Sequence, residues 1–122
     1  MKTEPLGKRM HTRGISMTAT DHMGNVRWKE FIDSMTLALG MNKAAEPAIW
    51  FYPQNGKGGT GHTICQPITE SFICLDTWPT HRGAYLMICS CKPISGANVH
   101  AVCKEYGIEI ANEFGTSLGI PE

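Results

Sequence analysis

The chain has 122 residues, of which 42% are hydrophobic and 18% are charged. This length and composition predict a single soluble globular domain. Eleven basic and eleven acidic residues give a formal net charge of zero, which argues against nucleic-acid binding because nucleic-acid-binding surfaces carry a basic excess.

Signals for membranes and export are missing from the sequence. No apolar run approaches the roughly 18–20 residues that span a bilayer. Residues 1–20 are polar and are interrupted by glycine and proline, so they lack the apolar segment of a signal peptide. We therefore expect a cytoplasmic protein with no membrane partner, whose five cysteines are reduced thiols rather than a disulfide framework.

The sequence pattern of the N-terminal third of the chain predicts a flexible arm, a strand and a helix. Residues 1–12 are polar with little periodicity, which predicts a flexible arm ahead of a domain over 13–122. Alternation from Arg13 to Thr20 predicts a half-buried strand. Apolar residues then recur at helical spacing over Val26 to Leu39, and Gly40 is the predicted C-terminal stop.

The remainder predicts a sheet with a second helix. Four segments rich in β-branched, aromatic or other apolar residues predict strands, at 48–52, 62–68, 72–77 and 83–91. A glycine-rich loop is expected over 54–61. A helix with Ser95 or Asn98 near its start ends at Gly107, and a short strand, Ile108 to Ile110, precedes a frayed tail. The order β-α-β-β-β-β-α-β predicts an α+β two-layer sandwich, with a largely antiparallel sheet and two helices on one face.

One turn carries the residues with the most distinctive chemistry. Glu70-Ser71 lies between two predicted strands, and Thr77-Trp78-Pro79 and then Cys91 follow it. A serine hydroxyl in a strained turn can attack its own preceding carbonyl, and elimination from the resulting ester leaves a pyruvoyl group. Such a ketone forms a Schiff base with a substrate amine and accepts electrons during decarboxylation. The carbanion then needs a proton donor, which a nearby cysteine or histidine can supply.

This combination resembles the self-cleaving core of the small prokaryotic S-adenosylmethionine decarboxylase proenzymes, over roughly Gly61 to Tyr106. The resemblance implies cleavage between Glu70 and Ser71 into fragments 1–70 and 71–122, with Ser71 becoming the pyruvoyl cofactor. It implies that Cys91 is the catalytic proton donor and that Thr63 replaces a serine that assists processing. It also implies a small-molecule substrate, a role in polyamine biosynthesis and a homodimer, or a higher homo-oligomer, whose sheets pair.

Three positions depart from the family pattern. Asp76 replaces the histidine that acts in the elimination step, and an aspartate can still act as the base, with His62 or His81 as possible substitutes. Thr80 replaces a glutamate to which the resemblance assigns a contact with the ribose hydroxyls of the substrate. Phe72 replaces a histidine that follows the processed serine. The expected substrate-binding residues are Phe51, Trp78, Thr80 and His81.

These departures leave several functions open. The chain is either a decarboxylase of S-adenosylmethionine or one of another amino acid such as ornithine or arginine. A non-enzymatic alternative is an unprocessed homologue that binds S-adenosylmethionine or a related ligand, or that regulates a partner. A different enzyme that consumes S-adenosylmethionine is a further alternative.

Two other motifs have simpler interpretations. Gly56 to Gly61 satisfies G-x-G-x-x-G, but a strand follows it instead of the helix that dinucleotide binding requires. The cysteines lack the paired CxxC spacing of structural zinc sites, so no metal is expected. Cys91 itself is alternatively a small buried residue of a central strand.

Overall fold

The computed structural model describes residues 8–52, 61–78 and 82–120, and they form one six-stranded sheet with two helices. Neighbouring strands in the order β2-β3-β4-β5-β1-β6 are all antiparallel. The predicted α+β class and element order are confirmed. The elements are β1 Lys8–Ala19, α1 Asn25–Ala38, β2 Ala48–Phe51, β3 His62–Ile68, β4 Ser71–Trp78, β5 Gly83–Ser90, α2 Gly96–Glu105 and β6 Ile108–Ile120.

The core lies between the helices and one face of the sheet. Along β3, β4 and β5, alternate residues are buried, as expected when one sheet face is covered. The helices bury one stripe each, which matches their periodicity of 3.6 residues. The fully buried hydrophobic residues are Phe31, Ile32, Met35, Ile64, Ile73, Leu75, Leu86, Ile88, Val99 and Cys103.

Both helices agree with their predicted boundaries. Gly40 follows α1 with a φ of 68°, a left-handed conformation that glycine adopts without strain. The hydroxyl of Ser95 accepts a hydrogen bond of 3.2 Å from the backbone N–H of Asn98 and so caps the start of α2. Neither helix in the described ranges combines the length and hydrophobicity that a bilayer crossing requires.

The two terminal strands are longer than predicted. β1 begins at Lys8 rather than at Arg13, so residues 8–12 lie in the sheet and not in an arm. β6 continues to Ile120, so the segment expected as a frayed tail is a strand. The two strands pair along their length with one irregularity at Ser16/Met17. This partner is about a hundred residues away in sequence, so a local pattern gives little indication of it.

The second face of the sheet, opposite the helices, is termed the open face. No helix of the described residues packs on it. β4 extends one residue past the predicted strand 72–77, to Trp78, and the Trp78 side chain projects from the open face. Its large side chains include Trp78, Tyr85, Met87 and Phe114, which are between 36% and 57% exposed.

Candidate functional site

The Glu70-Ser71 turn lies at one end of the sheet. Ile68 is paired with Ser71, so Thr69 and Glu70 form the two-residue connection between β3 and β4. Ser71 is also paired with Ser90 at the end of β5. Its φ of 154° is positive, a conformation that residues with a side chain rarely adopt. Strain of this kind persists only where the surroundings impose it, and it clusters at functional sites.

The carbonyl of Glu70 is held by the backbone of Cys91. The Cys91 N–H donates a hydrogen bond of 3.0 Å to the Glu70 carbonyl oxygen. This is the carbonyl that a nucleophilic Ser71 hydroxyl would attack. A fixed N–H donor at that oxygen stabilises the negative charge that develops there, as in an oxyanion hole.

The Glu70 carboxylate fixes the turn. It is 7% exposed, accepts a hydrogen bond of 3.2 Å from the Asn42 N–H and lies 3.2 Å from the Lys92 Nζ. The Asn42 N–H, and then Lys92, lower the pKa of this carboxyl. Glu70 was predicted as a catalytic-site residue preceding the scissile bond, but its two partners could not be predicted from the sequence. Lys92 follows Cys91 directly, whereas Asn42 comes from a distant loop.

Cys91 lies just beyond the end of β5 and its thiol is exposed. The alternative interpretation, a small buried residue of a central strand, is therefore wrong. Cys103 shows the contrast, because it is 1% exposed and burial raises the pKa of its thiol to about 11. An accessible thiol beside the Ser71 turn is able to deliver a proton to a substrate bound there.

Thr63 and Asp76 form a second polar group on the open face. They lie opposite each other on β3 and β4, and the Thr63 hydroxyl donates a hydrogen bond of 2.8 Å to Asp76 Oδ1. The hydroxyl of Tyr52 is 3.0 Å from the same Thr63 oxygen. Thr63 and Asp76 line a groove of about 380 Å³ on the open face, and its other walls include Tyr85 and Phe114.

The Ser71 turn with Cys91 and the pair formed by Thr63 and Asp76 are not in contact within one chain. Asp76 is five residues along β4 from Ser71, which corresponds to roughly 16 Å at about 3.3 Å per residue. The structure therefore brings Ser71 and Cys91 together at one end of the sheet, and Thr63 and Asp76 together towards the other.

His62, the alternative to Asp76, lies on the opposite face of the sheet from Asp76. It neighbours Thr63 on β3, so its side chain lies on the helix-covered face, where it is 2% exposed. Its Nδ1 is 3.0 Å from the Thr77 hydroxyl. Burial lowers the pKa of His62, and the charge of Asp76 opposes that effect.

The predicted substrate-binding residues are dispersed. Trp78 lines a shallow groove of the open face together with Thr18 and Tyr85. Phe51 stacks on His62 with ring centroids 5.6 Å apart, so it belongs to the opposite side of the sheet. Thr80 and His81 lie outside the described residues, as does most of the glycine-rich segment before Gly61.

A pair of thiols was not foreseen. Cys65 and Cys74 lie directly opposite on β3 and β4, with their sulfur atoms 2.6 Å apart. Burial and the neighbouring Cys65 raise the pKa of Cys74 to about 12. Counting back from the two-residue turn at Thr69 and Glu70 would have shown this pairing. Within the described ranges, no three histidine, cysteine or acidic side chains are grouped so as to hold a metal ion.

The fold has a counterpart among solved structures. The crystal structure of the adenosylmethionine decarboxylase from Aquifex aeolicus VF5 superimposes with a TM-score of 0.59, over 98% of this chain and 96% of that chain. The chain has the adenosylmethionine decarboxylase fold. Sequence identity to that enzyme is 16%, so the likeness shows the fold alone. No protein-family model and no curated protein matches the sequence.

Proposed function

We propose that this protein is the precursor of a pyruvoyl-dependent decarboxylase that cleaves itself between Glu70 and Ser71. The observation that carries the proposal is the 3.0 Å hydrogen bond from the Cys91 N–H to the Glu70 carbonyl oxygen. It stabilises negative charge on the oxygen of the bond to be broken. The positive φ of Ser71 and the decarboxylase fold support the same assignment.

Processing begins at the Ser71 hydroxyl. Its oxygen attacks the Glu70 carbonyl carbon, and the Cys91 N–H stabilises the oxyanion. Collapse breaks the peptide C–N bond and leaves an ester on the Ser71 oxygen. A base then removes the Ser71 α-proton, and elimination releases the Glu70 carboxylate as the new C-terminus of fragment 1–70. The dehydroalanine left on fragment 71–122 takes up water and loses ammonia to give the pyruvoyl group.

Asp76 is the proposed base, and it must come from a second copy of the chain. Within one chain it lies roughly 16 Å along β4 from Ser71. When two open faces pack about a two-fold axis that runs across the strands, the Ser71 end of one β4 lies over the Asp76 end of the other. Such an interface is self-complementary and yields two equivalent sites. We therefore propose a homodimer with each site shared between the subunits.

The exposed residues of the open face suit this arrangement. Trp78, Tyr85 and Phe114 are 44%, 57% and 53% exposed, respectively. Aromatic side chains are enriched at protein interfaces, where they bury large areas. In the dimer they would also exclude water from the groove that contains Thr63 and Asp76.

The proposed substrate is S-adenosylmethionine, the compound named for the structural neighbour. The pyruvoyl group supplies the electron sink for loss of carbon dioxide. The exposed Cys91 thiol then donates a proton to the substrate carbon. Trp78 provides a stacking surface, and Thr80 and His81 remain the other proposed substrate contacts, whereas Phe51 lies on the opposite side of the sheet and is not retained as one.

Intact mass under denaturing conditions tests the proposal. We expect two species corresponding to 1–70 and 71–122, the second beginning with a pyruvoyl group. Ser71→Ala should give one full-length species. Ser90 is the residue of β5 that is paired with Ser71, so Ser90→Ala tests whether loss of another serine hydroxyl at this end of the sheet also prevents cleavage. A single full-length species of the unmodified chain after long incubation would overturn the proposal and favour a ligand-binding homologue.

The substrate is tested separately. Carbon dioxide release from S-adenosylmethionine, ornithine and arginine is compared in the cleaved protein. Release from ornithine or arginine alone would retain the pyruvoyl mechanism but reject S-adenosylmethionine.

A further inference from the structure

A cavity of about 300 Å³ lies at the end of the sheet opposite the Ser71 turn. It is bounded by the end of β1, the first residues of α1, the start of β3 and the start of β5. Its walls combine apolar side chains with groups that carry hydrogen-bond donors. Among the described residues that line it, none is acidic; they include His22, Gly24, Asn25, Trp28, His62 and Arg82.

The positive end of α1 faces this cavity. The helix has 14 residues and begins after Gly24, which provides no side-chain cap, and its first turn contains no acidic residue. Gly24 and Asn25 themselves line the cavity. The first backbone N–H groups of a helix have no partner within the helix and carry partial positive charge. An anion is therefore stabilised at this position.

His62 supplies an independent sign of a ligand. It is 2% exposed, and its buried Nε2 has no hydrogen-bond partner among the described residues. Buried polar atoms of this kind are rare and call for an explanation. The Thr77 hydroxyl lies 3.0 Å from Nδ1 and 3.2 Å from the His62 carbonyl oxygen, and its single proton goes to one of the two. In the tautomer in which it goes to Nδ1, the ring hydrogen is on Nε2, which is then a donor to the ligand.

Arg82 adds a positive charge in a fixed position. Its carbonyl accepts a hydrogen bond of 2.8 Å from the Ala19 N–H, and its Nη1 donates one of 2.8 Å to the Thr20 carbonyl. Its φ of 53° shows that the backbone is held in a left-handed conformation. A guanidinium has five donors, so the remaining ones are available to a carboxylate or a phosphate.

We propose that this cavity binds a small molecule through its carboxylate or phosphate group, with donors from the N-terminus of α1, from His62 Nε2 and from Arg82. The site is separate from the self-cleavage turn, because His62 and Thr77 lie at the far ends of the strands that meet at Ile68 and Ser71. The cavity is larger than a single ion needs, so the anionic group belongs to a small organic molecule. Binding here does not depend on whether the chain is processed.

The test is a titration of the full chain with inorganic phosphate and, separately, with succinate, at an ionic strength held constant with sodium chloride. Amide resonances are followed by heteronuclear NMR. We expect saturable shifts at residues 24–28 and at His62, and the tighter of the two probes identifies the preferred group. Arg82→Gln should weaken binding by about tenfold, since one charge-assisted hydrogen bond is lost.

Two further variants separate binding from folding. Asn25→Asp places a carboxylate in the first turn of α1, where it favours the helix, so the protein should remain folded while the anion is repelled. Arg9→Gln changes the same charge as Arg82→Gln at an exposed position of β1 and should bind like the unmodified chain. Absence of saturation with both probes, or equal weakening in the two arginine variants, would overturn the proposal.

Discussion

The backbone N–H of Cys91 donates a hydrogen bond of 3.0 Å to the carbonyl oxygen of Glu70. This contact joins the end of β5 to the turn between β3 and β4. It assigns two separate tasks to one residue, because the main chain of Cys91 acts on the peptide bond and its thiol is free to act on a substrate. The two tasks can therefore be separated by substitution.

Replacing Cys91 tests this separation. Cys91→Ala keeps the backbone N–H, so cleavage should proceed at a rate close to that of the unmodified chain. The rate of decarboxylation should fall by about 10²–10⁴-fold because the thiol that donates the proton is lost. Cys91→Pro removes the N–H and should slow cleavage itself by about 10²–10³-fold. The rates are measured by intact mass over time and by carbon dioxide release. Equal cleavage rates in the two variants would show that the hydrogen bond has no part in processing.

Replacing Asp76 tests the proposed base. Asp76→Ala should slow cleavage by about 10²–10⁴-fold, the usual contribution of a general base. Asp76→His supplies another base at the same position and should restore much of the rate. Asp21→Ala, an exposed aspartate in the turn after β1, is the matched control. Normal cleavage in Asp76→Ala would remove the role assigned to this residue.

Complementation tests whether Asp76 acts across a subunit interface. Neither Ser71→Ala nor Asp76→Ala should cleave efficiently when expressed alone. When the two variants are mixed after unfolding and refolded together, a heterodimer contains one site with both Ser71 and the partner subunit's Asp76. The Asp76→Ala chain should then be cleaved, and a mass label on one chain identifies it. If mixing restores nothing although heterodimers form, the shared site is wrong.

A charged substitution tests whether the open face forms the dimer interface. Tyr85→Arg places a cation among exposed aromatic residues of the open face and should convert the proposed dimer into a monomer, as measured by sedimentation velocity. Leu37→Arg is the matched control, because Leu37 is 79% exposed but lies on α1, on the other side of the sheet. A monomeric unmodified chain, or equal dissociation in both variants, would contradict the interface.

Glu70 predicts a dependence of stability on pH. Its folded pKa is lowered by the Asn42 N–H and by Lys92 from an ordinary value of 4.5. The folded state therefore binds a proton less readily than the unfolded state, and the stabilisation is present above pH 4.5 and lost as the pH falls through the folded pKa. We expect the difference in melting temperature between the unmodified chain and Glu70→Gln to be largest near pH 6–7 and to shrink below about pH 4.5.

The matched control for this measurement is Glu109→Gln, at an exposed position of β6. It removes the same charge without removing the contacts of the turn. A difference for Glu70→Gln that stays constant from neutral to acidic pH would show that the carboxylate contributes no linked stabilisation.

Most helix and strand boundaries could be predicted because their signals are local. The stripe of apolar residues in α1, the glycine at position 40 and the serine cap of α2 all act within a few residues of the chain. The part of β6 beyond Ile110 could not be predicted, because it is polar and contains glycine and is stabilised by pairing with β1. The first residues of β1, from Lys8, were missed for the same reason.

The candidate site shows the same division. The sequence by itself determined that Ser71 follows a carboxylate in a turn and that a cysteine follows twenty positions later, since these are facts of local order and spacing. Only the tertiary structure decided that the Cys91 N–H bonds to the Glu70 carbonyl and that Asp76 is too far along β4 to reach Ser71. It also decided that His62 lies on the opposite face from Asp76. The reason is that strand register and sheet order arise from backbone hydrogen bonds between distant segments, and these bonds are largely independent of side-chain identity.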